Sequence, residues 1–577
     1  MTRMSAPFRN LGLNPAQVLA RVGDGVLYLR HPDELEPHDA DLVSMLDRCC
    51  HLHGTQPFLA EREHGDWRRI SFLEFRSAVE RAANVAEALG IGVNTHVAIL
   101  APNSIQHAIA TFAVLAAGGV VVPLSPMYLA HPNGAVALAQ LAKSAAVTVL
   151  LHADELPGDQ VLADGACIPL GQLLDCTQQL QGPTLSERCR VDRSKQAAKI
   201  FFTSGSTGSP KPVVNTHGSL TAAAAMMRQV RSKVIPGEPS ASVDWLPWSH
   251  TFGGNVTIHS ALLRGTSVHI DGGAPMPGRF DITLQNLRDV CPTEFSTVPA
   301  AYPLLLAALE GDDEFARRFF SRLHICSYGG AALSAAMAER FQAVAVAACG
   351  ERIPFGGGYG MTETAGLIAA VYWLNDRTDL LGLPVPGVEL KLVQLESSRW
   401  ECRVRGPNLF SGYLGMPNHD LFDAEGFFLT GDTVELADPE RPVEGLIFAG
   451  RLREDFKLAN GTWVRAGRLR EELLDRLRPL AQELVIIGEN RDELGVLVWA
   501  AANAEGNLQS GIAERIADFN ASHPAASQRI GRVKLRQAPP DRAAGEVTAK
   551  GTINVRRFVD NHREEIAELY AEERYKL

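Results

Sequence analysis

The chain has 577 residues, of which 46% are hydrophobic and 21% charged, and its formal net charge is −11. That length exceeds what one hydrophobic core organises, so several domains are expected. The acidic balance, with no compensating Lys/Arg run, argues against a surface that coats nucleic acid. Nine cysteines occur without a Cys-x-x-Cys spacing, which reads as reduced intracellular thiols rather than a disulfide frame or a zinc site. Met1 to Asn10 has no apolar signal core. The longest apolar stretch, Ala108 to Leu124, is interrupted by Gly118, Gly119 and Pro123 and falls short of the ~20 residues that a membrane span needs. A cytoplasmic protein without a membrane partner is expected.

Helix and strand signals alternate through the first three-quarters of the chain. The period predicts a helix over Phe72 to Leu89, with Ser71 and Glu74 at capping-box spacing and Gly90 as its stop. A strand follows at Val97 to Leu100 and a helix begins at Ile105. The Ala108 stretch reads as a buried helix ending near Gly118, then a strand over Val120 to Val122. Further strands are expected at Val147 to Leu151 and Lys199 to Phe202, and a helix over Thr221 to Met227. Such an order implies mostly parallel sheets covered by helices, an α/β fold. Turn signals at Gly431-Asp432, Asp438-Pro439 and Gly450-Arg451 change the texture. Strands at Val485 to Ile487 and Leu497 to Ala500 then belong to a smaller α+β unit. The expected division is a large domain over 1–451 and a small one over 452–577.

The densest chemistry lies in Thr203-Ser204-Gly205-Ser206-Thr207-Gly208-Ser209-Pro210-Lys211. Glycines let backbone N–H groups approach a phosphate. Ser and Thr hydroxyls add donors, and Lys211 adds a mobile positive charge. The run Ala198 to Phe202 reads as a strand entering this loop. The loop fits a polyphosphate cradle but is not a Walker A loop, because no Gly-Lys-Ser/Thr follows the first glycine at the required spacing.

The pattern T-S-G-S-T-G-x-P-K resembles the phosphate loop of the adenylate-forming superfamily, which includes acyl-CoA synthetases, luciferases and adenylation domains. Other segments resemble that family in the same order. Tyr359-Gly360-Met361-Thr362-Glu363 is similar to its Y-G-x-T-E segment, implying an aromatic near adenine, a threonine at phosphate and Glu363 holding Mg²⁺. A carboxylate suits such a hard cation, and the resemblance adds Thr207 as a second metal contact. Gly329-Gly330-Ala331-Ala332-Leu333 resembles the adenine-side G-G-A-P-L, with Ala332 in place of proline. Thr430-Gly431-Asp432 resembles T-G-D, whose aspartate holds ribose hydroxyls, and Gly450-Arg451 resembles the nucleotide-facing G-R. Trp245 to Gly254, with Trp248, His250, Phe252 and Gly253, occupies the position that lines the acyl pocket, to which Tyr328 is added. For Trp245 itself a core position is the favoured reading. Lys550, in Lys550-Gly551-Thr552-Ile553-Asn554, stands where the family keeps its adenylation lysine. Arg453 occupies the hinge position, and Lys457 is assigned to the coenzyme A region, where Asn460-Gly461 replaces a common Gly-Gly.

The resemblance runs from about Pro37 to Tyr570. It is closest to feruloyl-CoA synthases at Trp245 to Asn255, Gly450 to Val464 and Lys550 to Arg556. It implies ATP and coenzyme A as co-substrates with Mg²⁺ as the metal cofactor, an aromatic carboxylic acid as acyl donor, and two half-reactions separated by rotation of the small domain. Lys211, Thr207, Glu363 and Lys550 are the expected catalytic set; Thr203 to Gly208, Gly330, Ala331, Ala332, Tyr359 to Thr362, Asp432 and Arg451 are the expected nucleotide set. A homodimer is left open. So are a medium-chain or benzoate-type acid, a carrier-protein acceptor, and a non-catalytic nucleotide-binding homologue.

Overall fold

The computed structural model of the protein describes residues 6–9, 12–130, 133–153, 161–162, 165–174, 180–203, 210–231, 239–276, 278–331, 333–396, 398–452, 454–501, 507–541, 544–547 and 553–577. Local signals set many of its elements. The helix Phe72–Ala88 starts at Ser71, whose Oγ accepts from the Glu74 amide at 3.2 Å while the Glu74 carboxylate accepts from the Ser71 amide at 2.8 Å. This reciprocal pairing satisfies two amides that the first helical turn leaves open. The apolar stretch becomes the helix Ile105–Ala116 and the strand Val120–Leu124, whose five residues are all buried. Among the described residues no helix is long and apolar enough to cross a membrane.

Three sheets carry the larger part of the chain. In a six-stranded sheet, His96–Leu100 lies parallel to Val120–Leu124 and Val149–His152, and Ala197–Thr203 joins it through the parallel pair Val121 and Lys199. Lys211–Thr216 then folds back antiparallel on Ala197–Thr203, so that Thr203 and Lys211 face each other across the pair. A four-stranded sheet contains Ala241–Asp244, Ser267–Ile270, Pro57–Glu63 and Asp66–Ser71. The largest sheet has eleven strands. Glu294–Thr297, Ile325–Gly329 and Phe355–Tyr359 run parallel at one end, whereas Leu380–Pro384 onward is antiparallel. The parallel order read from the sequence therefore holds in the βαβ regions and gives way where strands follow one another without a crossover helix, since short turns return a strand antiparallel.

Packing places the strand ends. Phe295, Tyr302, Phe319, Phe320, Phe341 and Phe355 form one buried cluster, with edge-to-face contacts such as Tyr302–Phe341 at 5.9 Å and Phe320–Phe341 at 5.3 Å. Burying each such ring is worth roughly 1.5–3 kcal/mol, and the edge-to-face geometry fixes ring orientation. This cluster backs Ile325–Gly329 and Phe355–Tyr359, the strands that end in the Gly-Gly-Ala and Tyr-Gly-Met-Thr-Glu segments.

Beyond residue 455 the core is separate. Leu473, Leu484, Val498, Ile512 and Phe519 belong to a cluster drawn only from this region, around the sheet Ala481–Ile487, Leu494–Ala500 and Ile530–Arg536. A chain of polar contacts joins it to the large sheet. Thr433 donates to the Gly450 carbonyl at 2.9 Å, Arg399 Nε donates to Thr433 at 3.0 Å, and Arg399 pairs with Asp455. Both members of that pair are 5% exposed. Burial holds the Asp455 carboxyl above its ordinary pKa despite the guanidinium beside it. Removing one member of a buried pair strands the other charge. Arg399→Met is therefore expected to cost about 3–5 kcal/mol, and Arg399→Met with Asp455→Leu to recover part of that loss, as read from urea unfolding midpoints. Equal midpoints for the single and double variants would show that the pair is not what holds this junction.

Candidate functional site

The segment Tyr359 to Gly366 is a tight double-back after the strand Phe355–Tyr359. Thr362–Thr364 forms one 3₁₀ turn, and the chain reverses through Ala365 at φ +53° and Gly366 at φ +93°. A side chain at Gly360 would lie 2.3 Å from the Gly366 backbone, so only glycine permits this closure. Two buried amides fasten the turn from outside. Asn215 donates to the Thr362 carbonyl at 3.2 Å, and Asn408 donates to the Thr364 carbonyl at 3.1 Å.

At one end of the turn stands Glu363, 4% exposed. Tyr413 Oη donates to its Oε1 at 2.7 Å. The Tyr413 ring in turn lies under Lys211, with Nζ 5.0 Å from the ring centroid, within range of a cation–π attraction. Tyr413 is brought there by pairing of residues 411–414 with Lys211–Thr216. Tyr413 bridges to Val213, the Val214 amide donates to the Gly412 carbonyl at 3.0 Å, and the Leu414 amide donates to the Pro212 carbonyl at 2.9 Å. Lys211 and Glu363, far apart in sequence, thus share one intermediary. Sequence reading missed Tyr413, Asn215 and Asn408; the Gly412-Tyr413 dipeptide was the available signal.

At the other end Tyr359, 8% exposed, donates its hydroxyl to Asp432 Oδ2 at 2.8 Å. Burial, followed by the Asp432 charge, pushes the Tyr359 pKa well above its ordinary value, so the hydroxyl stays a donor. Arg451 Nε donates to Asp432 Oδ1 at 3.2 Å, and these two residues face each other across the strands Phe428–Leu436 and Leu446–Arg451. Gly431 at φ +75° lets Thr430 Oγ1 turn back to accept from the Asp432 amide at 3.1 Å. An ionised carboxylate has about four acceptor positions. With one donor on each oxygen, Asp432 retains capacity for the two hydroxyls of a vicinal diol.

The Gly329–Ala331 loop and the Trp245–Gly254 segment meet directly. Gly329 ends its strand opposite Gly358, and a side chain there would sit 3.2 Å from the Phe252 ring. Gly330 follows at φ +83°, and Ala331 is exposed. His250 Nδ1 accepts from the Phe252 amide at 3.2 Å, and Gly253 has no room for a side chain beside the Leu246 and Pro247 carbonyls. Trp248 is 6% exposed and lies edge-on to His107, while Trp245 donates its indole N–H to Thr297 at 3.1 Å. Tyr328 is 6% exposed and donates to the Thr378 carbonyl at 2.8 Å, so its hydroxyl is committed to the sheet core. Lys457 stacks over Trp463, with Nζ 4.9 Å from the ring. Thr203, Met361 and Thr362 flank the cluster on described backbone. Ser204, Gly205, Ser206, Thr207, Gly208, Ala332, Arg453 and Lys550 lie outside the described residues.

Comparison with known proteins gives two successive matches. Residues 46–414 match the AMP-binding enzyme family and residues 455–574 the C-terminal domain of AMP-binding enzymes. A long-chain-fatty-acid–CoA ligase of Escherichia coli O157:H7 is 26% identical over 79% of this chain and 84% of its own. A 4-coumarate–CoA ligase-like protein of Arabidopsis thaliana is 24% identical over 96% of this chain and 99% of its own. The o-succinylbenzoate CoA synthetase of Bacillus subtilis, solved with its acyl-adenylate, superposes with a TM-score of 0.71 at 18% identity, covering 89% of this chain and 97% of that one. That likeness establishes a shared mixed α/β fold with a large and a small portion.

The two donors on Asp432 differ in burial, which makes a test. Tyr359→Phe removes a buried hydrogen bond to a charged acceptor and is expected to cost about 1.5–3 kcal/mol. Arg451, whose side chain is 55% exposed, is expected to cost under about 1 kcal/mol as Arg451→Gln. Unfolding midpoints check the ranking, and equal losses would contradict it.

Proposed function

Because the chain belongs to the AMP-binding enzyme family, we propose that it is an ATP-dependent acid–thiol ligase. It adenylates a hydroxycinnamate-type carboxylate and passes the acyl group to coenzyme A, releasing AMP and pyrophosphate. One observation carries the reading. The turn Tyr359 to Gly366 joins Lys211 and Glu363, through Tyr413, to Tyr359, Asp432 and Arg451. A phosphate-binding cation, an acidic oxygen donor and a diol acceptor gathered around one rigid turn match the parts of a nucleoside triphosphate.

In the first half-reaction the acid's carboxylate oxygen attacks the α-phosphorus, and the bond to pyrophosphate breaks. Lys211 and the hydroxyls and amides of Thr203 to Gly208 hold the β- and γ-phosphates. Gly330, Ala331, Ala332 and Tyr359 to Thr362 frame the base and α-phosphate, and Asp432 holds the ribose. Positioning with fixed positive charge is most of what such a transfer requires. Glu363 and Thr207 have the oxygen donors that suit Mg²⁺. When bound, that ion neutralises charge on the leaving pyrophosphate. Lys550 bridges the acid and the α-phosphate. In the second half-reaction the coenzyme A thiolate attacks the acyl carbon and AMP leaves with the anhydride oxygen. A domain division between 451 and 452, with a hinge at Arg453, allows the small domain to turn and exchange Lys550 for residues near Lys457.

The acyl donor is read from the aromatic segment Trp245 to Phe252, with His250, Phe252, Gly253 and Tyr328 on the acyl side, and draws support from the 4-coumarate ligase-like relative. The long-chain ligase relative favours an aliphatic acid as the second reading. Carboxylate-dependent ATP–pyrophosphate exchange, followed by product mass with coenzyme A, tests both. Ferulate, caffeate or 4-coumarate is expected to exceed hexanoate, octanoate and longer fatty acids in kcat/KM, and a clear aliphatic preference overturns the hydroxycinnamate reading. Lys550→Ala is expected to slow acyl-AMP formation by about 10²–10³, the scale of one charge aimed at the reacting centre. Thioester formation from synthetic feruloyl-AMP should survive in that variant. Equal loss in both steps would make Lys550 a structural residue.

A further inference from the structure

Lys199 lies in the strand that delivers the chain to the phosphate loop, four residues before Thr203, yet it is 4% exposed. It faces three groups of a single segment. Its Nζ donates to the Gly254 carbonyl at 2.7 Å and to Asn255 Oδ1 at 3.3 Å, and lies in hydrogen-bond contact with His259 Nε2 at 3.2 Å. In its ammonium form the lysine has three N–H donors, one for each of these groups. Burial alone brings the lysine down to about 7, and burial also holds His259 far below its ordinary range, which leaves its ring neutral and able to accept.

The segment is unusual. Phe252–Thr257 is a π-helical turn leading into the helix Ile258–Arg264. Such wide turns are rare and cost regular hydrogen bonding. A side chain at Gly254 would meet the Trp248 carbonyl at 2.2 Å and the Phe201 ring at 3.4 Å, so the turn is pressed onto the strand that carries Lys199. Asn255 also donates to Thr251 at 2.9 Å, which carries the lysine's hold back toward His250. Beside the ammonium is a cavity of about 20 Å³, walled by His107, Thr111, Phe112, Trp248 and Ile258, room for about one water molecule. An apolar side chain would fill this site without a desolvation penalty; the lysine supplies instead a rigid link between the phosphate-loop strand and the acyl segment.

We propose that Lys199 is a positioning residue for the acyl pocket, holding the π-helical turn Phe252–Thr257 and through it the pocket residues His250, Phe252 and Gly253. The proposal rests on the acyl–ligase reading for its kinetic consequence, but the hold itself does not. Lys199 does not touch substrate; it fixes the wall that does, from the strand whose end cradles the phosphates.

The test is Lys199→Met, which keeps the length and removes the donors. Hydrogen exchange read by mass should rise at least about tenfold in peptides spanning 250–258, through local opening, and stay at the wild-type level across 359–366. In pyrophosphate exchange the KM for the acid should rise about tenfold with KM for ATP within about twofold, the split expected when one subsite loosens. Should Lys199→Met fail to fold, Asn255→Ala removes one acceptor with the lysine in place and should move both readouts less, in the same direction. Unchanged exchange over 250–258 in the variant that folds, or a rise spread equally over 359–366, overturns the proposal. Raised exchange over 250–258 in a protein that activates no acid would keep the lysine's hold on the turn and overturn the ligase reading, and with it the acyl-pocket role.

Discussion

The close approach of Gly360 to the Gly366 backbone is the constraint from which the site follows. It folds residues 359–366 into a loop too tight to carry a side chain at its neck. The fold then spends two buried asparagines and a tyrosine to keep it in place. Glu363 and Tyr359 consequently project from one rigid object. Their partners come from three separate stretches of the chain: Lys211–Thr216, residues 408–414, and the strand pair ending at Asp432 and Arg451. Positioning built into a turn of this kind needs little rearrangement when a ligand arrives, which is what electrostatic assistance of a charge-shifting reaction requires.

Much of this architecture was legible in the chain. The Ser71–Glu74 capping box, the helix from Ile105 and the strands around residues 97, 120, 149 and 199 follow from local period and cap chemistry, and the structure has them within a few residues. The antiparallel half of the eleven-stranded sheet was not legible, because partner choice among strands is a long-range outcome that local sequence underdetermines. The same holds for the separate core beyond residue 455. Its strands could be read, but the Arg399–Asp455 pair that ties it back could not.

The site divides in the same way. Glycines and charged residues in short motifs announce themselves, since few structural roles need such a concentration of them. Residues that position the motifs do not. Tyr413 looks like an ordinary aromatic after a glycine, Asn215 and Asn408 look like surface amides, and Lys199 looks like a strand lysine on its solvent side. Each acquires meaning only when its burial and its partner are known. Tyr328 is the converse case: a hydroxyl beside the expected pocket that the fold commits to the Thr378 carbonyl.

The central claim is that one turn gathers a nucleoside triphosphate site from these dispersed stretches. A crystal structure with a non-hydrolysable ATP analogue and Mg²⁺ tests it most directly. The account predicts the ribose hydroxyls on Asp432, the β- and γ-phosphates beside Lys211, and the metal on Glu363, with Tyr413 still bonded to that carboxylate. A nucleotide bound away from the Tyr359–Gly366 turn, or Glu363 turned away from the phosphates, would contradict it.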